Sequence, residues 1–144
     1  MKVKEIDRLD SNVHELIHKF ILQLTSHEST ADSTLIEAII NDGNSHLFFA
    51  INDHGEYMGM FAIGFYLSPT GKKAWIEDVV VAISYRGQGV GKILIEFAIQ
   101  YAKEQNADTL MLTSNPERIT ANKLYQNLGF QQKTTNVYRM ELYH

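Results

Sequence analysis

The chain contains no cysteine, which excludes a disulfide framework, a thiolate metal centre and a cysteine nucleophile together. It has two prolines, so little interrupts helices or strands, and no run of about 18 apolar residues that would cross a bilayer. Met1-Lys2-Val3-Lys4-Glu5 leads into a strand-like pattern without an apolar leader, so a cytoplasmic location and no membrane association are expected. Positive charge is not in excess: 13 Lys and Arg stand against 17 Asp and Glu, a net charge of −4, and the basic stripe of a nucleic-acid binder is missing. The six histidines, at 14, 18, 27, 46, 54 and 144, form no HExxH pattern. His14 and His18 share a helical spacing but lack a third ligand, so no metal site is expected.

What remains is an ordinary globular mix. With 144 residues and 44% hydrophobic content, one domain over residues 1–144 is expected, large enough for a sizeable core. The chain is organised around residues 75–105. Trp75 to Ile83 is β-branched and aromatic enough for a buried strand. Tyr85-Arg86-Gly87-Gln88-Gly89-Val90-Gly91 then breaks it with glycines at alternate positions. Beyond the break, Val90, Ile93, Leu94, Phe97, Ala98 and Tyr101 lie on one face of a helix.

Glycines permit positive φ and let a ligand approach the main chain without meeting a Cβ atom. The first helical turn adds unpaired N–H groups and the positive end of its dipole. Together these make a phosphate nest, closed by the guanidinium of Arg86. A Walker A loop fails here, because Arg86 and Ile93 stand where a glycine and a Ser or Thr are needed. A dinucleotide fingerprint fails too, because Lys92 stands in place of its third glycine. The pattern that fits is Arg-x-x-Gly-x-Gly, with Arg86, Gly89 and Gly91, after a strand carrying Glu77-Asp78. It resembles the signature of the GNAT superfamily, the acetyl-CoA-dependent N-acetyltransferases. Downstream, Arg118-x-x-Ala121-Asn122-x-x-Tyr125-x-x-x-Gly129-Phe130 is similar to that family's later motif.

Taken in order, residues 2–6 read as a short strand. Two helices follow, capped by Asp10 or Ser11 and by Asp32 or Ser33. Ser45–Ile51 and Glu56–Leu67 read as strands joined by the Asn52-Asp53-His54-Gly55 turn. After the central helix, Thr109–Thr113 reads as a buried strand, which the crossover makes parallel to the strand before the loop. A helix from Ser114-Asn115-Pro116 to Leu128, with Gly129 as its cap, precedes two closing strands at Gly129-Phe130 and Val137–Leu142. The expected class is α/β, more narrowly an α+β mixed sheet. The resemblance implies about seven strands, mostly antiparallel, with one central parallel pair splayed for the cofactor and about four helices.

The resemblance also implies direct transfer of an acetyl group from acetyl-CoA to a primary amine of a small molecule or a protein. It places the diphosphate on residues Arg86, Gly87, Gln88, Gly89, Val90, Gly91 and Lys92. The pantetheine arm would pair with the backbone of Val79, Val81 and Ile83, and Asn115 and Asn122 would bond cofactor amides. Asn115 serves equally as a helix cap, and Arg118 either reaches the phosphates or complements nearby acids. Glu77 is the expected general base, directly or through water, with Asp78 as second choice. Adjacent strand residues point to opposite faces, so one of the two faces the wedge. Tyr125 is the expected general acid for the departing thiolate. Open edges at the closing hairpin allow a homodimer. Two other readings stay open: a GNAT-fold module that binds acyl-CoA without efficient catalysis, and an enzyme using the glycine loop for another nucleotide.

Overall fold

The computed structural model describes residues 1–143 as two compact units, residues 1–113 and 114–144, of which residue 144 lies outside the description. The first unit holds one sheet in the order β1-β2-β3-β4-β5. Its strands are β1 (Lys2–Glu5), β2 (Ser45–Ile51), β3 (Tyr57–Ser68), β4 (Gly71–Val81) and β5 (Thr109–Met111). The first four pair antiparallel, and β4 with β5 is the parallel pair that the crossover requires.

Helices α1 (Ser11–Thr25) and α2 (Ser33–Asn41) begin where the acidic caps predict. Asp10 accepts from the Val13 amide at 2.8 Å, and Asp32 accepts from the Leu35 amide at 2.8 Å. Each carboxylate thus satisfies one of the orphan donors of a first turn. The apolar stripes of these helices, including Val13, Ile17, Phe20 and Ile36, pack with Leu47, Phe49, Met60 and Val80 into one buried cluster. Helix α3 (Val90–Glu104) packs with a second group of rings, in which Phe97 lies 5.0 Å from Phe48 and Tyr101 lies 5.9 Å from Phe65. Period-two alternation along β2 and β3 sends successive side chains to these two clusters, so the sheet is apolar on both faces. At the far end of α3, Asp108 ties β4 to the approach of β5: its carboxylate accepts from the Lys72 amide at 2.7 Å, and its own amide donates to Lys72 O at 2.8 Å.

The second unit holds α4 (Ile119–Asn127). The helix begins later than the cap-and-proline pattern predicts, because Asn115 diverts the chain. Its side-chain oxygen accepts from the Glu117 amide at 2.9 Å, and its carbonyl accepts from the Arg118 amide at 3.0 Å, which closes a turn in place of the first helical residues. The helix ends as expected: Phe130 N donates to Tyr125 O at 3.0 Å, and the Phe130 ring lies 6.0 Å from that of Tyr125.

The strand count is five among the described residues, against about seven from the resemblance. Neither Gly129-Phe130 nor Val137–Leu142 forms a strand. Val137, Tyr138, Met140 and Leu142 are 72%, 88%, 80% and 73% exposed, so their alternation is not matched by burial of one face. An alternating pattern becomes a strand only where a partner supplies its hydrogen bonds.

Candidate active site

The parallel pairing of β4 with β5 is confined to Lys73–Trp75 against Thr109–Met111. Beyond Trp75, β4 therefore keeps a strand neighbour on one side only. Ala82 N donates to Met58 O at 2.8 Å, so residue 82 turns its polar groups toward β3. Alternation then turns the Val81 carbonyl and the Ile83 amide to the open side. Both are met there by a single side chain of α1. Gln23 Nε2 donates to Val81 O at 2.6 Å, and Gln23 Oε1 accepts from Ile83 N at 3.3 Å. The expected strand Trp75–Ile83 also shifts. It starts at Gly71 and stops at Val81, and Ile83–Tyr85 forms a single 3₁₀ turn instead.

The two candidate carboxylates sit at a defect in this strand. Met60 pairs with Val80 and Ala62 with Glu77, so Phe61 faces two residues, Asp78 and Val79. This is a β-bulge, and Asp78 supplies its left-handed residue at φ 53°. Asp is among the few side chains that adopt this region at modest cost. The extra residue reverses the alternation, so Glu77 opposite Ala62 and Val80 opposite Met60 share one face. The expectation that adjacent Glu77 and Asp78 point to opposite faces assumed an unbroken strand, and the bulge removes that assumption. Both side chains are exposed, yet their carboxyls are held above the usual range. For Glu77 the cause is partial desolvation first and the neighbouring Asp78 charge second; for Asp78 it is desolvation.

After the 3₁₀ turn the chain enters the glycine loop. Gly87 takes φ 77° and Gly89 φ 82°, and Gly89 is the N-terminal cap of α3 without any side-chain bond. Both positions hold a left-handed backbone conformation that residues with a Cβ atom resist, although a Cβ there would meet no other atom within 4 Å. Among the described residues, the amides of residues 87–92 have no protein acceptor. Arg86, Gln88 and Lys92 are exposed, and among the described residues Arg86 makes no ion pair. The loop is tethered through Tyr85, whose hydroxyl accepts from Asn52 Nδ2 at 3.3 Å at the β2–β3 turn. Amides without a protein acceptor at a helix N-terminus, beside an exposed guanidinium, are the kind of groups that can hold a diphosphate. Val79 is half-buried, and Val90 is buried in the core behind the loop.

In the second unit, Asn122 Nδ2 donates to Asn115 O at 2.9 Å, and the Asn115 side chain holds the Glu117 amide. Both amides thus have structural partners within their own turn. Tyr125 is 6% exposed on the inner face of α4. Burial raises its phenol above the usual value, while the charge of Arg118 acts the other way. Gln23 carried no signal in the sequence, since a lone half-buried glutamine on an amphipathic helix has many ordinary uses.

A mixed sheet with a glycine loop between β4 and α3 marks an α/β protein. Residues 13–130 match the model of the acetyltransferase (GNAT) family, and the chain belongs to that family. Streptothricin acetyltransferase of Streptomyces lavendulae is 32% identical over 89 residues, which is 62% of this chain and 46% of that protein. Thialysine N-epsilon-acetyltransferase of Bos taurus is 28% identical over 133 residues, 82% of this chain and 78% of that protein. A putative acetyltransferase from Agrobacterium tumefaciens superposes with a TM-score of 0.84 at 18% identity, over 98% of this chain and 100% of that one, a likeness of fold. The chain spans 33% to 46% of the length of several curated relatives it matches.

Proposed function

We propose that the chain is an N-acetyltransferase acting as one domain over residues 1–144, moving the acetyl group of acetyl-CoA directly to a primary amine. The observation that carries this reading is the row of acceptor-free amides over residues 87–92, preceded by the exposed Arg86. Acetyl-CoA would supply an acetyl thioester. The amides of Gly87, Gln88, Gly89, Val90, Gly91 and Lys92, with the Arg86 guanidinium, would hold its diphosphate. The backbone of Val79, Val81 and Ile83 would guide its pantetheine arm, and an N–H near Val79 or Val81 would receive charge from the carbonyl oxygen. Asn115 and Asn122 would bond the cofactor's amides once released from their own turn.

An alkyl amine is mostly protonated near neutral pH, its reference pKa being about 10.4, so a base must take a proton before the nitrogen lone pair attacks. Glu77 takes that role, directly or through water, and its raised pKa brings it closer to the working range of a general base. Tyr125 returns a proton to the departing thiolate. With no cysteine in the chain, transfer needs no acyl-cysteine intermediate. Primary amines of small molecules head the acceptor classes, because the bovine relative is named for acetylating the ε-amine of thialysine; peptide amines follow. The protein would work in the cytoplasm, and the exposed apolar residues 137–142 would support a homodimer.

The test is coenzyme thiol release from acetyl-CoA across a panel of diamines, amino acids, aminoalkylphosphonates and peptides. Release that depends on the amine supports the enzyme. Binding of acetyl-CoA with no release from any amine supports the acyl-CoA-binding module instead.

A further inference from the structure

The contact of Gln23 with the edge of β4 has the form of a strand rung. In a parallel pair, one residue donates its N–H to the carbonyl of i−1 and accepts from the N–H of i+1 on its neighbour. The Gln23 carboxamide does both around Ala82, with 2.6 Å to Val81 O and 3.3 Å to Ile83 N. It does so on the side of β4 that β5 leaves open beyond Trp75. The Val81 carbonyl is part-buried and the Ile83 amide lies at the exposed end of the strand, so this edge can exchange one partner for another without passing through a buried, unpaired state. Gln23 is half-buried on the last turns of α1, long enough to reach and free to turn away about its own side-chain bonds.

We propose that Gln23 is a placeholder: its side-chain amide spans Val81 O and Ile83 N in the free protein and is replaced there by an amide of the pantetheine arm when acetyl-CoA binds. The inference rests on the acetyl-CoA reading above. The same two backbone groups cannot serve both amides in full, so cofactor binding must release Gln23 from β4. The cost of that release lowers apparent affinity for the whole cofactor and leaves the diphosphate end untouched.

The experiment compares the full wild-type chain with Gln23→Ala by calorimetry, using two probes. One is acetyl-CoA; the other is 3′-phospho-ADP, the coenzyme fragment that keeps the diphosphate and lacks the arm. Because a net hydrogen bond is worth about 0.5–1.5 kcal/mol, Gln23→Ala should bind acetyl-CoA about threefold to tenfold more tightly while binding the fragment unchanged. The wild-type chain supplies a readout independent of any folding effect: the Gln23 side-chain amide signals in a ¹⁵N spectrum should shift on adding acetyl-CoA and stay in place on adding the fragment. Unchanged or weaker acetyl-CoA binding by a folded Gln23→Ala chain, or Gln23 signals unmoved at saturating acetyl-CoA, would overturn the placeholder while leaving the cofactor reading intact. A wild-type chain that binds neither probe would overturn both.

Discussion

Gly59 on β3 pairs with Val81, just past the bulge in β4, and a methyl group there has nowhere to go. A Cβ atom on Gly59 would stand 2.6 Å from the Val80 carbonyl oxygen, 3.1 Å from Leu94 Cδ1 and 3.3 Å from Val81 Cα. Real Cβ atoms essentially never approach closer than 3.0 Å, so the Val80 carbonyl would have to retreat by at least a few tenths of an ångström. The obstacle is main chain in a paired strand, with fully buried Leu94 behind it, so no rotamer change relieves it. Overpacking of this kind costs about 1–3 kcal/mol. Gly64 on the same strand is the internal control: its Cβ would meet only Asn44 O, at 3.9 Å, and replacing a strand glycine there removes unfolded-state freedom. Urea unfolding should therefore show Gly59→Ala losing about 1–3 kcal/mol, with the melting midpoint falling by about 2–4 °C per kcal/mol, while Gly64→Ala is neutral or slightly stabilised. Because Val80 and Val81 lead into the glycine loop, Gly59→Ala should also weaken acetyl-CoA binding. Equal stability of the two variants would refute the close-approach argument.

Three further predictions concern titratable groups. Glu77→Gln should lower kcat by about 10²–10⁴-fold, and the acidic limb of the pH–rate profile, expected in the wild type to be displaced upward from the ordinary glutamate value by desolvation and the Asp78 charge, should disappear; an unchanged limb would assign the base elsewhere. Asp78 has its carboxyl pKa raised by folding, so the folded state binds its proton more tightly than the unfolded state, and stability falls as pH rises through that window. Asp78→Asn, which keeps a residue tolerant of φ 53°, should therefore unfold at higher urea than wild type at neutral pH, with the difference closing below the ordinary carboxylate pKa. Tyr125→Phe should lower turnover with little change in acetyl-CoA affinity in binding and single-turnover measurements; parallel loss of both would make Tyr125 a packing residue.

The elements whose cause is local were legible in the sequence. Asp10 and Asp32 announce their helices because a carboxylate ahead of an apolar stripe satisfies first-turn amides wherever it stands. The parallel partnership of β4 and β5 follows from strand, loop, helix and strand in succession. The glycine loop is readable because alternate glycines before an amphipathic helix have few other uses. What failed to show depends on partners distant in the chain. The bulge at Asp78 is invisible in Glu77-Asp78-Val79-Val80-Val81, because only pairing with Met60 and Ala62 reveals one residue too many. The alternation of residues 137–142 reads as a strand, yet a strand is made by its neighbour, and these side chains lie open. Asn115 reads equally as a cap or a ligand group, and its bond to the Glu117 amide decides where α4 starts. Gln23 is separated by 58 residues from the carbonyl it holds, and no local pattern encodes that contact.

The central claim is that the main-chain amides between Arg86 and Lys92 grip the diphosphate of coenzyme A. A titration of the ¹⁵N-labelled chain with acetyl-CoA tests it most directly. The account predicts that the Gly87, Gln88, Gly89, Val90 and Gly91 amides shift first and furthest, and that 3′-phospho-ADP moves the same signals. Saturation with acetyl-CoA that leaves those amides in place, or that moves a different set, would contradict it.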